Sequence, residues 1–175
     1  MIPVVSNRLI FKAFLGFFFF GFPRHMGLFL STTVNRIDAK GRVSIPGPFR
    51  SALADHVFAG VILMKSPVHA CLEGFAPAMM DDIAARLNQF ALFSSEQDDL
   101  AAATLAECVK IGFDTEGRIV LPGEFAKYAG LKDDVAFVGL GNKFQMWTPS
   151  AWDKRRAEAQ KAVRDKGLTL PKVAE

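Results

Sequence analysis

A nine-residue motif occurs twice in this chain, 76 residues apart. Residues 38–46 read DAKGRVSIP, and residues 114–122 read DTEGRIVLP. The correspondence continues past the prolines, where a glycine and a phenylalanine recur in register. An internal repeat identifies the folding unit before any other feature is considered. We therefore expect one half-domain structure, used twice.

Each motif has the residue types of a tight turn. An aspartate at the first position caps backbone N–H groups, and a glycine three residues later adopts the positive φ that closes the turn. In the first motif these residues are Asp38 and Gly41, and in the second they are Asp114 and Gly117. We expect all four residues to build the turns rather than to contact a ligand.

The residues after each glycine alternate between polar and apolar types. Val43 and Ile45 are expected to point into the core and Arg42 away from it, which is the period of a half-buried strand. Ile119 and Leu121 form the corresponding inward pair. A proline then ends each strand because it has no N–H to donate. Each motif should therefore present one arginine at the mouth of a rigid turn.

The rest of the chain repeats one element order: strand, turn, strand, short helix, two strands, long helix. In the first strand we expect the alternating residues Leu28 and Leu30 to point into the core. We expect Ser95 to cap an additional helix. The expected strands are residues 27–38, 42–45, 57–65, 70–75, 109–113, 118–121, 135–140 and 143–147, and the expected helices are 49–54, from 77 onward, 95–109, 124–129 and 149–166.

The first 25 residues differ in character from the rest. Their apolar stretch, residues 9–22, is shorter than the ~20 residues needed to span a bilayer. An over-extended start before Met26, a membrane-associating or targeting segment, and an ordered extension are all open readings of this leader. We expect no membrane partner. The expected organisation is a leader at 1–25, a first half at 26–108, a second half at 109–152, and a C-terminal helix and tail at 153–175.

The net charge of +3 does not by itself indicate a nucleic-acid partner. The leader holds three basic residues and no acid, so the remaining 18 basic and 18 acidic residues cancel. Binding to an anionic partner must therefore depend on a local patch, or on a patch multiplied by oligomerisation.

Residue patterns of catalysis and metal binding are missing from the sequence. It has no Walker-type phosphate loop and no paired carboxylates. Cys71 and Cys108 lack the spacing of a zinc site, and His69 near Cys71 has no third partner to complete a nucleophile. We therefore expect no enzyme activity, no cofactor, no metal and no small-molecule substrate.

The duplicated D-x-x-G-R motif, the opening Phe29-Leu30-Ser31 and the closing NKFQMW at 142–147 strongly resemble the MraZ family. The resemblance covers residues 26 to about 160 and extends to the SpoVT-AbrB class of swapped-hairpin DNA-binding folds. It implies a mainly β fold with helices (α+β), in which two AbrB-like halves form one pseudo-two-fold β-barrel with a long helix after each half.

The same resemblance implies a function. MraZ-family proteins regulate transcription of bacterial division and cell-wall gene clusters. The chain is therefore expected to be a cytoplasmic, nucleoid-associated repressor and autoregulator that binds repeated boxes of double-stranded DNA as a homo-oligomeric ring. Two alternatives stay open: a ring that contacts proteins but not DNA, and an antitoxin-like module that binds a partner.

Carried onto this chain, the DNA-contacting loop of the family falls on residues 38–42. The window 36–50 has a local charge of +3, whereas the matched window 112–126 has a charge of −2. The first motif is therefore expected to be the better DNA surface. Arg42 could contact a phosphate or a base edge, form an ion pair with Asp38, or do both. The candidate DNA-binding residues are Arg42, Lys40, Arg36, Arg50 and Arg118.

Overall fold

A computed structural model describes residues 27–54 and 58–172, so the leader and its three readings lie outside the described residues. These ranges contain eight strands, five α-helices and one short 3₁₀ helix. The strands are β1 Thr32–Arg36, β2 Arg42–Ser44, β3 Gly60–Lys65, β4 Leu72–Phe75, β5 Val109–Gly112, β6 Arg118–Val120, β7 Asp134–Gly139 and β8 Lys143–Trp147. The α-helices are α1 Gly47–Leu53, α2 Ala78–Leu87, α3 Ser95–Ala103, α4 Gly123–Tyr128 and α5 Pro149–Lys166, and the 3₁₀ helix is Leu105–Glu107.

Six strands form one antiparallel sheet in the order β1-β7-β8-β4-β3-β5, and β2 and β6 form a separate antiparallel ribbon. The first strand of each half pairs with a strand of the other half, because β1 lies against β7 and β5 against β3. The central pair, β4 and β8, also joins the two halves. Neither half therefore completes the sheet from its own strands.

The expected α+β class is confirmed, but the expected closed barrel is not seen among the described residues. Their backbone ladders form an open sheet and a two-stranded ribbon, joined through the isolated bridge between Ile37 and Val43. Each ribbon strand has only three residues. Pro46 and Pro122 follow these strands and lack the N–H that a longer ladder would need.

The core lies between the inner face of the six-stranded sheet and the β2–β6 ribbon, with α1 and α4 beside it. Phe29, Phe49 and Phe144 meet at its centre, with ring centroids 5.1 to 5.3 Å apart. Such edge-to-face and tilted contacts add to the stabilisation from burying the rings. The inward pairs of both motifs are buried as predicted: Val43, Ile45, Ile119 and Leu121.

The predicted phase of the first strand was wrong. Leu28 and Leu30 are 60% and 61% exposed, whereas Phe29 between them is 1% exposed. Phe29 exchanges backbone hydrogen bonds with Gly141, and Ser31 takes a positive φ of 74° before β1 begins. Residues 28–30 are all apolar, so they show no polar–apolar alternation that could indicate which of them is buried.

The outer face of the sheet is covered by helices. Met79 and Ile83 of α2 pack on β3 and β4, and Ala151 and Trp152 of α5 pack against β7 and β8. No helix of the described part of the chain is long and apolar enough to cross a membrane.

The additional helix α3 begins and ends differently from the prediction. Ser94, not Ser95, is its N-cap, because the Ser94 hydroxyl accepts a hydrogen bond from the Gln97 N–H at 3.3 Å. Two adjacent serines offer the same capping group, so the sequence alone does not select one. The helix ends at Ala103, where the chain tightens into the 3₁₀ turn.

Candidate nucleic-acid interface

The first turn, residues 38–42, is built by one carboxylate. Asp38 Oδ1 accepts hydrogen bonds from the N–H groups of Lys40 at 2.8 Å and Arg42 at 3.0 Å. The Gly41 N–H donates to the Asp38 carbonyl at 2.9 Å, with Gly41 at a φ of 73°. The predicted turn is confirmed, and its backbone is held by three hydrogen bonds to a single residue.

The second turn, residues 114–118, repeats this arrangement. Asp114 Oδ1 accepts from the N–H groups of Glu116 and Arg118, both at 2.9 Å, and Gly117 has a φ of 72°. Each turn is also tied to the strand that follows the other turn. The Leu121 N–H donates to the Gly41 carbonyl at 2.9 Å, and in the matching contact the Ile45 N–H donates to the Gly117 carbonyl at 3.2 Å.

Both turn arginines are oriented through Nε. Arg42 Nε donates to Asp38 Oδ2 at 2.7 Å, and Arg118 Nε donates to Asp114 Oδ2 at 2.7 Å. Backbone and side-chain hydrogen bonds from the arginine hold the pKa of each aspartate below its ordinary value, to about 2 for Asp114. A guanidinium fixed at Nε keeps its two terminal nitrogens available for a further acceptor pair.

The two guanidinium groups differ in what surrounds those terminal nitrogens. Glu116 Oε2 lies 2.7 Å from Arg118 Nη1, whereas the matched position in the first turn is Lys40. The pKa of Arg118 is raised by its hydrogen bond to Asp114, with further contributions from the charges of Glu116 and Asp38. Among the described residues, no carboxylate contacts the terminal nitrogens of Arg42. The first turn thus presents an open guanidinium and the second a neutralised one.

Arg50 lies against the second turn, although the sequence window grouped it with the first. From α1 it extends across the ribbon, and its Nη1 donates to the Glu116 carbonyl at 3.1 Å. The same side chain fills the space that a Cβ at Gly117 would occupy. The matched residue of the second half is Ala126, so the first turn receives no equivalent cover.

Lys132, which was not among the residues predicted from the sequence, lies beside the first turn. Arg36 and Lys132 line an open pocket of about 440 Å³, together with Asp38 and Asp133. Both cations are exposed, and the Asp133 carbonyl accepts from the Ile37 N–H at 2.7 Å, which holds the two segments together. No signal marks Lys132 in the sequence, because its position depends on how β1 pairs with β7.

The family model described as "MraZ protein, putative antitoxin-like" matches residues 28–102 and 104–169. The chain belongs to the MraZ family. A transcriptional regulator MraZ from Gluconacetobacter diazotrophicus is 46% identical over 149 residues, covering 83% of this chain and 93% of that protein. Relatives of the same name occur in Gluconobacter oxydans, at 43% identity over 142 residues with 79% and 87% covered, and in Rickettsia bellii, at 36% over 146 residues with 83% and 97% covered.

The MraZ-family match contains one D-x-x-G-R turn in each of its two stretches. The structure brings Arg42, Lys40 and Arg36 to the first turn and adds Lys132 there. It separates Arg50 from that group. This MraZ-family chain therefore has one side with open cations and another where the cations are paired with acids or with backbone carbonyls.

Proposed function

We propose that this protein is a transcriptional regulator that binds double-stranded DNA through the first turn, with Arg42 as the principal contact. The names of its relatives support the regulatory role. The open guanidinium of Arg42 carries the DNA assignment. Its two terminal nitrogens match the O6 and N7 acceptors of guanine, a pairing worth about 1–3 kcal/mol of discrimination. They match two phosphate oxygens equally well.

The surrounding cations have a different role in this proposal. Lys40, Arg36 and Lys132 are exposed and lie around the turn, where they would contact phosphates and set the register of the protein on the duplex. Arg50 and Arg118 would contribute less, because both are engaged at the second turn. Asp38 and Gly41 would shape the turn without contacting DNA, as Asp114 and Gly117 would in the second turn.

Assembly is the second part of the proposal. A protomer with a single small cationic turn should bind DNA weakly, whereas a ring presents several turns at a high effective concentration. The loop between α2 and α3 supports self-association, because Leu92 and Phe93 are 75% and 85% exposed. Substituting both with serine should leave the fold intact and reduce the oligomer size, measured by light scattering after gel filtration. An unchanged mass would exclude this loop from the interface.

The remaining expectations belong to the same proposal. The halves 26–108 and 109–152 would act as one pseudo-two-fold unit around the shared sheet, followed by the helix and tail at 153–175. The ring would bind repeated boxes in the promoter of its own division and cell-wall cluster, and repress it on the nucleoid in the cytoplasm. The strand order supports the two-fold relation, since exchanging matched strands of the halves leaves that order unchanged.

The decisive test is a gel-shift titration on the DNA upstream of the gene, at about 50 and 200 mM salt. Wild type should shift this DNA in discrete steps, and Arg42→Ala should abolish the shift. Arg118→Ala is the matched control, because it removes the same side chain from the same turn geometry and should retain most binding. If wild type gives no shift at low salt, or if both variants lose binding equally, the assignment to the first turn fails.

An antitoxin-like role is the second candidate, favoured by the family description and by the exposed apolar loop. In that case a second protein should purify with this chain at a fixed stoichiometry. The partner-binding role would be favoured over the regulatory one if the Leu92→Ser/Phe93→Ser double variant lost that partner and if neither wild type nor the variant bound DNA.

A further inference from the structure

The outer face of the β2–β6 ribbon lies between the two turns and carries the side chains of Arg42, Ser44, Arg118 and Val120. The register places Val120 directly opposite Arg42, and Ser44 directly opposite Arg118. Positions 44 and 120 are equivalent in the two repeats, so the first repeat has a serine where the second has a valine. The valine therefore lies beside the open guanidinium of Arg42, and the serine lies beside the neutralised guanidinium of Arg118.

Val120 is more accessible than the arginine opposite it. Val120 is 59% exposed, whereas the side chain of Arg42 is 31% exposed. The Arg42 side chain bends back toward the turn, where its Nε donates to Asp38 Oδ2 at 2.7 Å. Directly opposed residues of an antiparallel pair have Cβ atoms only about 4.5–5.5 Å apart. A duplex that reaches the terminal nitrogens of Arg42 should therefore also contact Val120.

The valine distinguishes between the two kinds of acceptor that Arg42 could contact. Against the phosphates, an apolar side chain would remove water from charged oxygens without replacing the lost hydrogen bonds, which is unfavourable. In the major groove, the C5 methyl group of thymine offers an apolar partner. That groove is about 12 Å wide and admits a two-stranded ribbon, whose strands lie about 4.8 Å apart. Val120 therefore favours the base edges over the phosphates.

We propose that the β2–β6 ribbon enters the major groove with Val120 against the C5 methyl group of a thymine and Arg42 at a nearby guanine. This inference rests on the proposed binding of DNA by the first turn, and it adds a specificity-determining residue to that site. Base pairs are about 3.4 Å apart, so a Cβ separation of about 5 Å corresponds to one or two base-pair steps. The preferred thymine would therefore lie one or two base pairs from the guanine.

The test compares two versions of the DNA upstream of the gene by fluorescence anisotropy with the full chain. One version contains thymidine, and the other has deoxyuridine, which lacks only the C5 methyl group, at every thymidine position. Wild type should bind the deoxyuridine version at least about fourfold more weakly, as expected for the loss of one buried methyl group. Equal affinity for the two versions would overturn the role of Val120. Failure to bind the thymidine version would instead refute the DNA binding on which that role rests.

Val120→Ser tests whether this side chain makes the methyl contact. Serine occupies the equivalent position of the first repeat, so the melting temperature should stay near that of wild type. The variant should bind the thymidine version at least about fourfold more weakly and should bind both versions equally, because the two changes remove the same contact. Its salt slope should match that of wild type, because no charge is altered.

Val163→Ser is the matched control, because it makes the same change on an exposed residue of α5. This control should keep the wild-type preference for the thymidine version. If Val120→Ser also keeps that preference, the methyl groups are recognised elsewhere and the inference is wrong.

Discussion

Reversing the charge of Glu116 should convert the second turn into a second DNA contact. Glu116 is the acid that occupies a terminal nitrogen of Arg118, and it stands where the first turn has Lys40. Glu116→Gln should release Arg118 alone, whereas Glu116→Lys should release it and add one cation. The turn itself should survive both changes, because position 116 contributes only its backbone N–H and carbonyl to the local hydrogen bonds.

The size of the effect follows from counterion release. Each phosphate contact steepens the dependence of log K on log salt by about 0.9. Glu116→Gln should therefore steepen the slope by about 0.9 per engaged protomer, and Glu116→Lys by about 1.8. Fluorescence anisotropy of a labelled promoter fragment, titrated at several salt concentrations between about 50 and 300 mM, measures this slope.

The effect of net charge on the salt slope must be separated from the effect of releasing Arg118. Glu96→Lys, at the start of α3, makes the same charge change on an exposed residue that does not contact either turn. It should leave the slope close to the wild-type value. A slope that rises equally in Glu96→Lys and Glu116→Lys would attribute the effect to net charge. A slope unchanged in Glu116→Lys would mean that the second turn does not face the duplex.

Two further predictions concern the turns. Gly41→Ala should lower the free energy of unfolding by about 1–2 kcal/mol, because alanine is strained at positive φ. Gly117→Ala should lower the free energy of unfolding by about 0.5–1.5 kcal/mol more than Gly41→Ala does, because the new Cβ displaces Arg50, which lies over Gly117. Equal losses for the two variants in urea unfolding would contradict this prediction. Because the pKa of Asp114 is lowered from 3.8 to about 2, its stabilisation is present above 3.8 and is lost as the pH falls toward 2. The free energy of unfolding should be measured as a function of pH. Asp114→Asn should have a lower value than wild type at neutral pH, and its value should change less than that of wild type between pH 3.8 and about 2.

Local signals predicted the two turns well, although the cap of α3 was assigned to the neighbouring serine. An aspartate with a glycine three residues later defined each turn, and Thr148, directly before α5, caps that helix by accepting from the Ala151 N–H at 3.3 Å. These features depend on residues close together in the sequence, so their chemistry can be read directly. The phase of the strand at Leu28–Leu30 depends instead on a distant partner, Gly141, and was missed for that reason.

The same limit applies to the candidate interface. Arg50 was assigned to the nearer turn by sequence distance, yet the pairing of β2 with β6 brings it to Glu116 of the other half. Lys132 was missed because the pairing of β1 with β7 decides its position. In each case the missing information is which half packs on which.

The reciprocal exchange at the first turn tests why one repeat is open and the other closed. In both turns the third residue donates its N–H to the aspartate, so its side chain is free to differ without altering the turn. Lys40→Glu should therefore place a carboxylate against the Arg42 guanidinium, as Glu116 lies against Arg118, while the melting temperature stays near that of wild type. Losing one phosphate contact and the open guanidinium should reduce the salt slope by about 1.8. Lys40→Gln is the control and should lose only about 0.9. If both variants bind alike, the carboxylate does not close the guanidinium, and the contrast between the two turns has another origin.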